Sequence, residues 1–359
     1  MSLTPGDDAP DIRAAIDRVI TRGWFILGPE LTAFEEEFAR ASGASHAVGV
    51  NTGTDAIALA LRALGVGAGD EVITTPLSAA YTALAIQMAG ATPVFADIDP
   101  DRLTIDPAAI EAALTPRTRA IVPVHLYGQP ADMPRIRALA DRHGLVIVED
   151  ACQAQLATCE GQPVGTMGAA GAFSFYPTKN LGALGDAGAV ITNDATVAAR
   201  LKRLRNGGQT DRYHHPEFGV NSRLDEIQAA VLRTRLVRLA AATARRRELA
   251  ALYRSGLQHP GVRVPRLFDA GHVHHLFPVL VDQRDAFMAH LEAQGIGTII
   301  HYPVAINRQG AFESLRRSPC PVAERVAATI CSLPLHPRLS NAEANAVIAA
   351  VNSWPAALE

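Results

Sequence analysis

Between residues 45 and 205 short β-branched runs alternate with longer stretches of helical periodicity, and that alternation leaves the chain few folds to choose from. The spacing predicts strands at His46–Val50, Glu71–Thr75, Pro93–Ile98, Ala120–Leu126, Leu145–Asp150, Ala172–Tyr176 and Ala189–Thr192. Helices are predicted between the first five, over about Asp55–Leu64, Ala80–Ala89, Pro107–Leu114 and Asp132–His143. Strands separated by helices of that length join as right-handed βαβ units, giving a mainly parallel sheet covered on both faces. The run LVIVED fits burial on two sides better than an alternating pattern would. The last two strands lie close together in sequence, where the pattern is expected to break.

From Asn221 to about Tyr253 the periodicity predicts one long amphipathic helix, with Leu224, Ile227, Ala230, Val231, Leu236 and Leu239 on its apolar face. A helix of that length usually bridges two parts of a chain. Beyond Gly256 the segments shorten: a strand around Val273–Val281, a helix Arg284–Gln294, a strand Gly297–Ile300, then helices near Pro321–Ile330 and Asn341–Val351. The expected organisation is therefore α/β, with a large mainly parallel-sheet domain over residues 1–244 and a small α+β domain over 245–359.

Several function classes are excluded by composition. Thirty-three basic residues against thirty-six acidic ones give a net charge of −3, with no basic cluster, so nucleic acid is not an expected partner. No apolar run approaches the ~18 residues of a membrane span, and the acidic start MSLTPGDDAP does not resemble a signal peptide. Cys152, Cys159, Cys320 and Cys331 form no C-x-x-C pair and suit thiols in a reducing cytoplasm.

The most informative count concerns lysine. Of the 33 basic side chains two are lysine, Lys179 and Lys202, leaving 31 arginines. With alanine also abundant, G+C-biased codon usage would replace lysine by arginine wherever a solvated charge suffices. It cannot do so where a nucleophilic amine is required, because a guanidinium stays protonated. Lys202 lies in the basic helical stretch AARLKRLRNGG and is a surface charge. Lys179 lies in AFSFYPTKNLGALGDAGA, a glycine-rich loop among apolar residues, which is a poor place for a decorative charge.

Ligands of such sheets bind beyond the carboxyl ends of the strands. Asp150 closes LVIVED, with Gln153 three residues on; Ser174 ends another strand shortly before Lys179. Asn51, Thr52, Gly53 and Thr54 open a helix, whose free N–H groups and positive dipole can cradle a phosphate. One chemistry uses all of these together, that of pyridoxal phosphate. The helix N-terminus and a serine would take the phosphate, Asp150 the ring nitrogen and Lys179 the aldehyde carbon. A carboxylate ~3–4 Å from that nitrogen attracts its proton by several kcal/mol at an effective dielectric near 20.

At these residues the sequence resembles the DegT/DnrJ/EryC1/StrS family of nucleotide-sugar aminotransferases, which share the type I aminotransferase fold. The motifs run in order through nearly the whole chain. They are WFILGPELTAFEEEFA (24–39), NTGTDAIALALRALGVGAGDEVI (51–73), TPVFADID (92–99), IVPVHLYGQPADM (121–133) and VIVEDACQAQLA (146–157). SFYPTKNLGALGDAGAVIT (174–192), GVNSRLDEIQAAVL (219–232) and IIHYP (299–303) follow. The resemblance implies a Schiff-base lysine at Lys179, a pyridine-nitrogen partner at Asp150 and a ring-oxygen contact from Gln153. It assigns phosphate contacts to Ser174 and the Gly53–Thr54 backbone, and to Asn221 reaching across from a second subunit, hence a homodimer. The implied reaction is a ping-pong transfer from an amino acid, glutamate first, to a keto-deoxysugar on a nucleoside diphosphate. The 3-keto branch matches best, as for a dTDP-3-keto-6-deoxyhexose, in a cytoplasmic pathway of deoxyaminosugar or antibiotic biosynthesis.

Three positions depart from the family pattern. Ala79 stands where many members have an aromatic residue over the ring, with Tyr81 two positions on; GDAG (185–188) replaces the commoner GDGG; and Asn307 stands where the 3-keto branch often has histidine. Tyr81, Tyr127, Tyr176, Arg223, His301 and Tyr302 are candidates by position for substrate contacts, with Asp225 and Glu226 as alternative partners for Arg223. Other readings on the same scaffold are a 4-keto-sugar or cyclitol aminotransferase, a cofactor-dependent lyase, and a non-catalytic regulator that binds the cofactor. Gly65, Gly67 and Gly69 follow a helix and form a turn, not a dinucleotide fingerprint. His272, His274 and His275 lie on a predicted strand without companions at metal spacing, so no metal is expected. Glu35–Glu37 is expected to be a solvated helix face.

Overall fold

The computed structural model describes residues 6–315 and 319–355. Two helices, α1 (Ala9–Arg22) and α2 (Pro29–Ala41), precede β1 (His46–Val50), α3 (Gly53–Ala63), β2 (Glu71–Thr74), α4 (Tyr81–Met88) and β3 (Thr92–Phe95). There follow α5 (Pro107–Ala112), β4 (Thr118–Val122), α6 (Met133–His143), β5 (Val146–Asp150), a two-stranded ribbon β6 (Thr158–Cys159) and β7 (Gln162–Pro163), then β8 (Ala170–Ser174) and β9 (Gly188–Thr192). The large sheet has the order β1-β9-β8-β5-β4-β2-β3. It is parallel from β8 to β3, while β9 runs antiparallel to both its neighbours, the β8–β9 connection being a glycine-rich loop without a helix.

Both faces of the sheet are buried, and strand alternation decides which residue faces which layer. Val48, Val72, Val122, Val148 and Val190 pack under α3, α4 and α7 (Ala195–Leu204). Their neighbours Ile121 and Ile147 face α6, and Ala47, Phe173 and Ile191 face α2 and α8 (Glu226–Gly256). Two steps from Val148 along β5, Asp150 therefore emerges on the α3–α4 side. Glu149 points the other way, where its carboxylate accepts from the N–H groups of Gly165, Met167 and Gly168 and from His125 Nε2. His125 Nδ1 accepts from Ala131 N–H, which places the ring proton on Nε2.

The long helix begins at Glu226 rather than Asn221, because residues 221–225 are extended: Asn221 bridges Asn206 and Asp225 bridges Ile26. The Glu226 carboxylate accepts from Gly28, Glu30 and Leu31 N–H at 3.0, 2.9 and 2.8 Å, satisfying the orphan donors that open α2. The expectation of a solvated face at Glu35–Glu37 holds for Glu36 alone. Glu35 is buried, paired with Arg205 and bonded to Gly49 N–H, and Glu37 pairs with Arg233. Both turn inward because α2 is covered by α8 and by the β1 edge.

After α8 come β10 (Phe277–Leu280), α9 (Arg284–Ala293), α10 (Pro321–Thr329), β11 (Ile330–Leu333) and α11 (Asn341–Asn352), with β10 and β11 antiparallel. The 244/245 division falls inside the unbroken α8, whose Leu239 packs with the large sheet while Leu249 and Tyr253 pack with β10, α9 and α11. Two expected strands are corrected. Gly297–Ile300 makes only a single bridge, Ile299 to Ser332, on the edge of β11 opposite β10, and the chain leaves that edge on either side of Ile299. His272–His275 is buried loop, its backbone tied to the turn at 127–128 instead of to a neighbouring strand. Ile330, expected to end a helix, begins β11.

Candidate active site

Beyond the carboxyl ends of β5 and β8 lies a cavity of about 530 Å³. Asp150 closes β5 and is 4% exposed; its Oδ2 accepts from Thr82 Oγ1 at 2.7 Å and its Oδ1 from Cys152 N–H at 3.1 Å. These two donors fix the carboxylate while leaving lone pairs for a further partner. Across the cavity Lys179 follows β8 in a turn in which its N–H donates to the Tyr176 carbonyl at 2.8 Å. Asn180 Nδ2 anchors that loop on the Val273 carbonyl at 3.1 Å. Burial lowers the pKa of Lys179, with Asp150 opposing, so its neutral fraction exceeds that of a solvated lysine.

The third wall is the start of α3. Thr52 caps it, its Oγ1 accepting from Asp55 N–H at 3.0 Å, so the N–H groups of Gly53 and Thr54 open on the cavity as a helix N-terminus. Gly53 is required by close approach: a Cβ there would lie 2.7 Å from Ser174 Cβ and 2.8 Å from Cys152 Sγ. Behind it, a Cβ on Gly188 would meet the Thr52 carbonyl at 2.4 Å. The departure from GDGG therefore falls on Ala187, which lines the cavity, and leaves Gly188 in place at the tight contact. Gly53→Ala is expected to weaken phosphate binding at this cradle about tenfold, since overpacking must push Ser174 or the helix aside. Fluorescence titration of the cofactor-free chain with pyridoxal phosphate measures this; an unchanged dissociation constant would remove the cradle from the site.

Other candidates divide between the cavity and its surroundings. Gln153, Ser174, Tyr81, Tyr176 and Tyr302 line it, with Tyr81 64% and Tyr176 50% exposed at its mouth. Ala79 lines it too, so Tyr81 shares that wall with a small residue. Tyr127 is buried, outside the lining, with its hydroxyl committed to the His301 carbonyl; this corrects its reading as a substrate contact. His301 binds Ser332 Oγ through Nδ1 at 3.0 Å, and burial together with the Lys179 charge lowers its pKa. Arg223 donates to Asn206 Oδ1 at 3.0 Å rather than to Asp225 or Glu226, and Asn221 is exposed. Neither lines the cavity of its own chain. Asn307 is buried outside the cavity lining; its Nδ2 donates to Glu324 Oε1 at 2.8 Å while its Oδ1 accepts no hydrogen bond among the described residues.

Sequence reasoning missed Thr82 and Cys152. The hydroxyl of Thr82 looks like any polar residue early in a helix, and only the juxtaposition of α4 with the end of β5 reveals its bond to Asp150.

The sequence model of the DegT/DnrJ/EryC1/StrS aminotransferase family matches residues 7–352. The chain is 50% identical over 345 residues, 95% of its length and 91% of the relative's, to a dTDP-3-amino-3,4,6-trideoxy-alpha-D-glucose transaminase from Streptomyces venezuelae. It is 47% identical over 92% of its length, and 89% of the relative's, to a UDP-N-acetyl-3-dehydro-alpha-D-glucosamine 3-aminotransferase from Acidithiobacillus ferrooxidans. Among solved structures, S. venezuelae DesV in complex with a ketimine intermediate superposes with a TM-score of 0.94 at 49% identity, covering 96% of this chain and 94% of that one.

Proposed function

Because the chain belongs to the DegT/DnrJ/EryC1/StrS aminotransferase family, we propose that it moves an amino group from glutamate to the 3-keto carbon of a 6-deoxyhexose carried on dTDP. It is a sugar aminotransferase whose cofactor is pyridoxal phosphate. The observation that carries the reading is the opening of three groups on one cavity: the Lys179 amine, the Asp150 carboxylate and the N-terminus of α3. That donor set fits the aldehyde, ring nitrogen and phosphate of the cofactor. Position 3 is favoured over position 4 because both relatives described above carry a 3-amino or 3-dehydro sugar in their names.

When bound, the cofactor supplies an electron-accepting ring that drains charge from the bond being broken at the substrate carbon. The chain's residues supply the rest. Asp150, held by Thr82 and the Cys152 N–H, would keep a proton on the ring nitrogen, and Gln153 would donate to the ring oxygen. Gly53, Thr54 and Ser174 would hold the phosphate. Lys179 would hold the aldehyde carbon and, once displaced by the amino donor, carry a proton on Nζ between two carbons; burial lowers its pKa, which enlarges the neutral fraction able to act as a base. One cavity then serves both substrates in turn, which predicts ping-pong kinetics.

The working unit in this proposal is a homodimer in which Asn221 completes the phosphate site of the partner subunit. Its support is that Asn221 is exposed and outside its own cavity, in a stretch that also exposes Tyr213 and Phe218 (94%), close in the fold to exposed Trp24 and Phe25. Among the described residues no helix is long and apolar enough to cross a membrane.

The test has two arms. Mixing the pyridoxal-phosphate form with glutamate should convert the bound cofactor's absorbance to that of its amine form. The amine form should then be discharged by a 3-keto dTDP sugar in a panel that includes 4-keto nucleotide sugars and a keto-cyclitol. Discharge by a 4-keto sugar or cyclitol alone would overturn the proposed acceptor. Failure of every amino donor would favour a regulator that only binds the cofactor.

A further inference from the structure

Tyr127 sits at the centre of a closed ring of contacts that joins the large domain to the segment carrying His301 and Tyr302. Its N–H donates to Gln153 Oε1 at 2.7 Å; Gln153 Nε2 donates to the Tyr302 hydroxyl at 3.0 Å; and the Tyr127 hydroxyl returns to the carbonyl of His301, the residue before Tyr302. A backbone N–H can only donate, so it fixes the Gln153 amide with Oε1 toward Tyr127 and Nε2 toward Tyr302. The Tyr302 hydroxyl, used as an acceptor by Gln153, keeps its own proton available to the cavity it lines.

The backbone of Tyr127 is itself unusual. It has φ +60° and ψ 5°, a left-handed conformation that a bulky residue rarely takes. Its carbonyl accepts from His275 N–H at 2.9 Å and Leu276 N–H at 3.4 Å, so the turn is held from several sides. Strain maintained by surrounding bonds next to a site is a mark of positioning. In this conformation the Tyr127 N–H meets Gln153 while its hydroxyl meets His301.

We infer that Tyr127 is a positioning residue: without touching substrate or cofactor, it sets Gln153 and Tyr302 in register with each other across the domain boundary. The inference rests on the reading of Gln153 as the donor to the cofactor's ring oxygen. Loss of the Tyr127 hydroxyl frees the 301–302 segment, and through Tyr302 loosens the Gln153 amide, while the aromatic ring still fills its buried space.

The test is a double-mutant cycle with Tyr127→Phe and Tyr302→Phe, read in the glutamate half-reaction, so that it does not depend on which sugar is the acceptor. Tyr127→Phe should slow the half-reaction about fivefold in the native background, the scale of one hydrogen bond, and less than about twofold when Tyr302→Phe is already present. The midpoint pH of the bound cofactor's absorbance change should rise in Tyr127→Phe, because the ring oxygen is held less firmly by its donor. The cofactor-free variant should melt within a few degrees of the native chain, showing that the fold is kept. Additive effects of the two substitutions, or an unmoved absorbance midpoint, would overturn the inference. Failure of the native protein itself to react with glutamate would instead count against the proposed function.

Discussion

Lys179→Ala is expected to lower turnover by about 10⁴-fold or more and to abolish the covalent retention of cofactor through gel filtration. Lys179→Arg should be just as inactive. It restores the positive charge and most of the reach, but a guanidinium stays protonated and cannot bond the aldehyde or carry the proton. The pair of variants separates a requirement for charge from a requirement for a neutral amine. Lys179→Ala should also leave the cofactor-free chain at least as stable as the native one, because burial lowers the lysine's pKa and its charge is a burden on the empty fold. Activity surviving in Lys179→Arg would show that the side chain acts only electrostatically.

Acid should destabilise the cofactor-free protein well above the range where carboxylates protonate. His272, His274 and His275 are 6, 5 and 6% exposed in the loop behind Tyr127, and the rings of His272 and His274 stack at 3.8 Å. Burial pushes all three below the usual histidine value, His274 to about 3. Neighbouring cations act in the same direction: Arg247 and Arg254 on His272 and His274, Arg246 on His274 and His275, and Lys179 on His275. His272 Nδ1 is already an acceptor for His274 N–H at 2.9 Å, a bond that a proton there would break.

Below pH ~6.5 the unfolded chain binds protons that the native one refuses, so stability is complete above that value and falls as pH drops toward 3. Each histidine costs about 1.4 kcal/mol per pH unit in that window, so the three together remove about 4 kcal/mol by pH 5.5, a large share of the 5–15 kcal/mol typical of a domain. Urea denaturation at pH 7.5 and 5.5 measures the difference. His274→Gln should recover about a third of the loss. A flat response between the two pH values would mean that these rings are protonated or solvated in the native state.

Much of the site was legible from local sequence because each part of it is set by local chemistry. Lys179 stood out through the scarcity of lysine alone. The N-terminus of α3 followed from a threonine cap and a glycine after an apolar strand. The side of the sheet on which Asp150 emerges follows from the two-residue period of β5, which pairs it with Val148 and opposes it to Glu149. These features depend on residues a few positions apart, so one chain read in order is enough to find them.

The remainder depends on which elements are pressed together. Glu35 resembles its neighbours in an acidic run until α8 and β1 enclose it and Arg205 reaches it. Thr82 becomes the Asp150 donor only because the first turn of α4 meets the carboxyl end of β5, and Tyr127 becomes a brace only because the 301–302 segment folds back against it. Periodicity tells a residue's face but not what will cover that face, and a burial environment made by segments tens to hundreds of positions away leaves no mark on the local pattern. The local sequence thus located the seven strands of the large sheet, the cap of α3 and the scarce lysine, while the tertiary fold alone chose the partners of the buried charges and hydroxyls, because their free energy comes from long-range desolvation and hydrogen bonding.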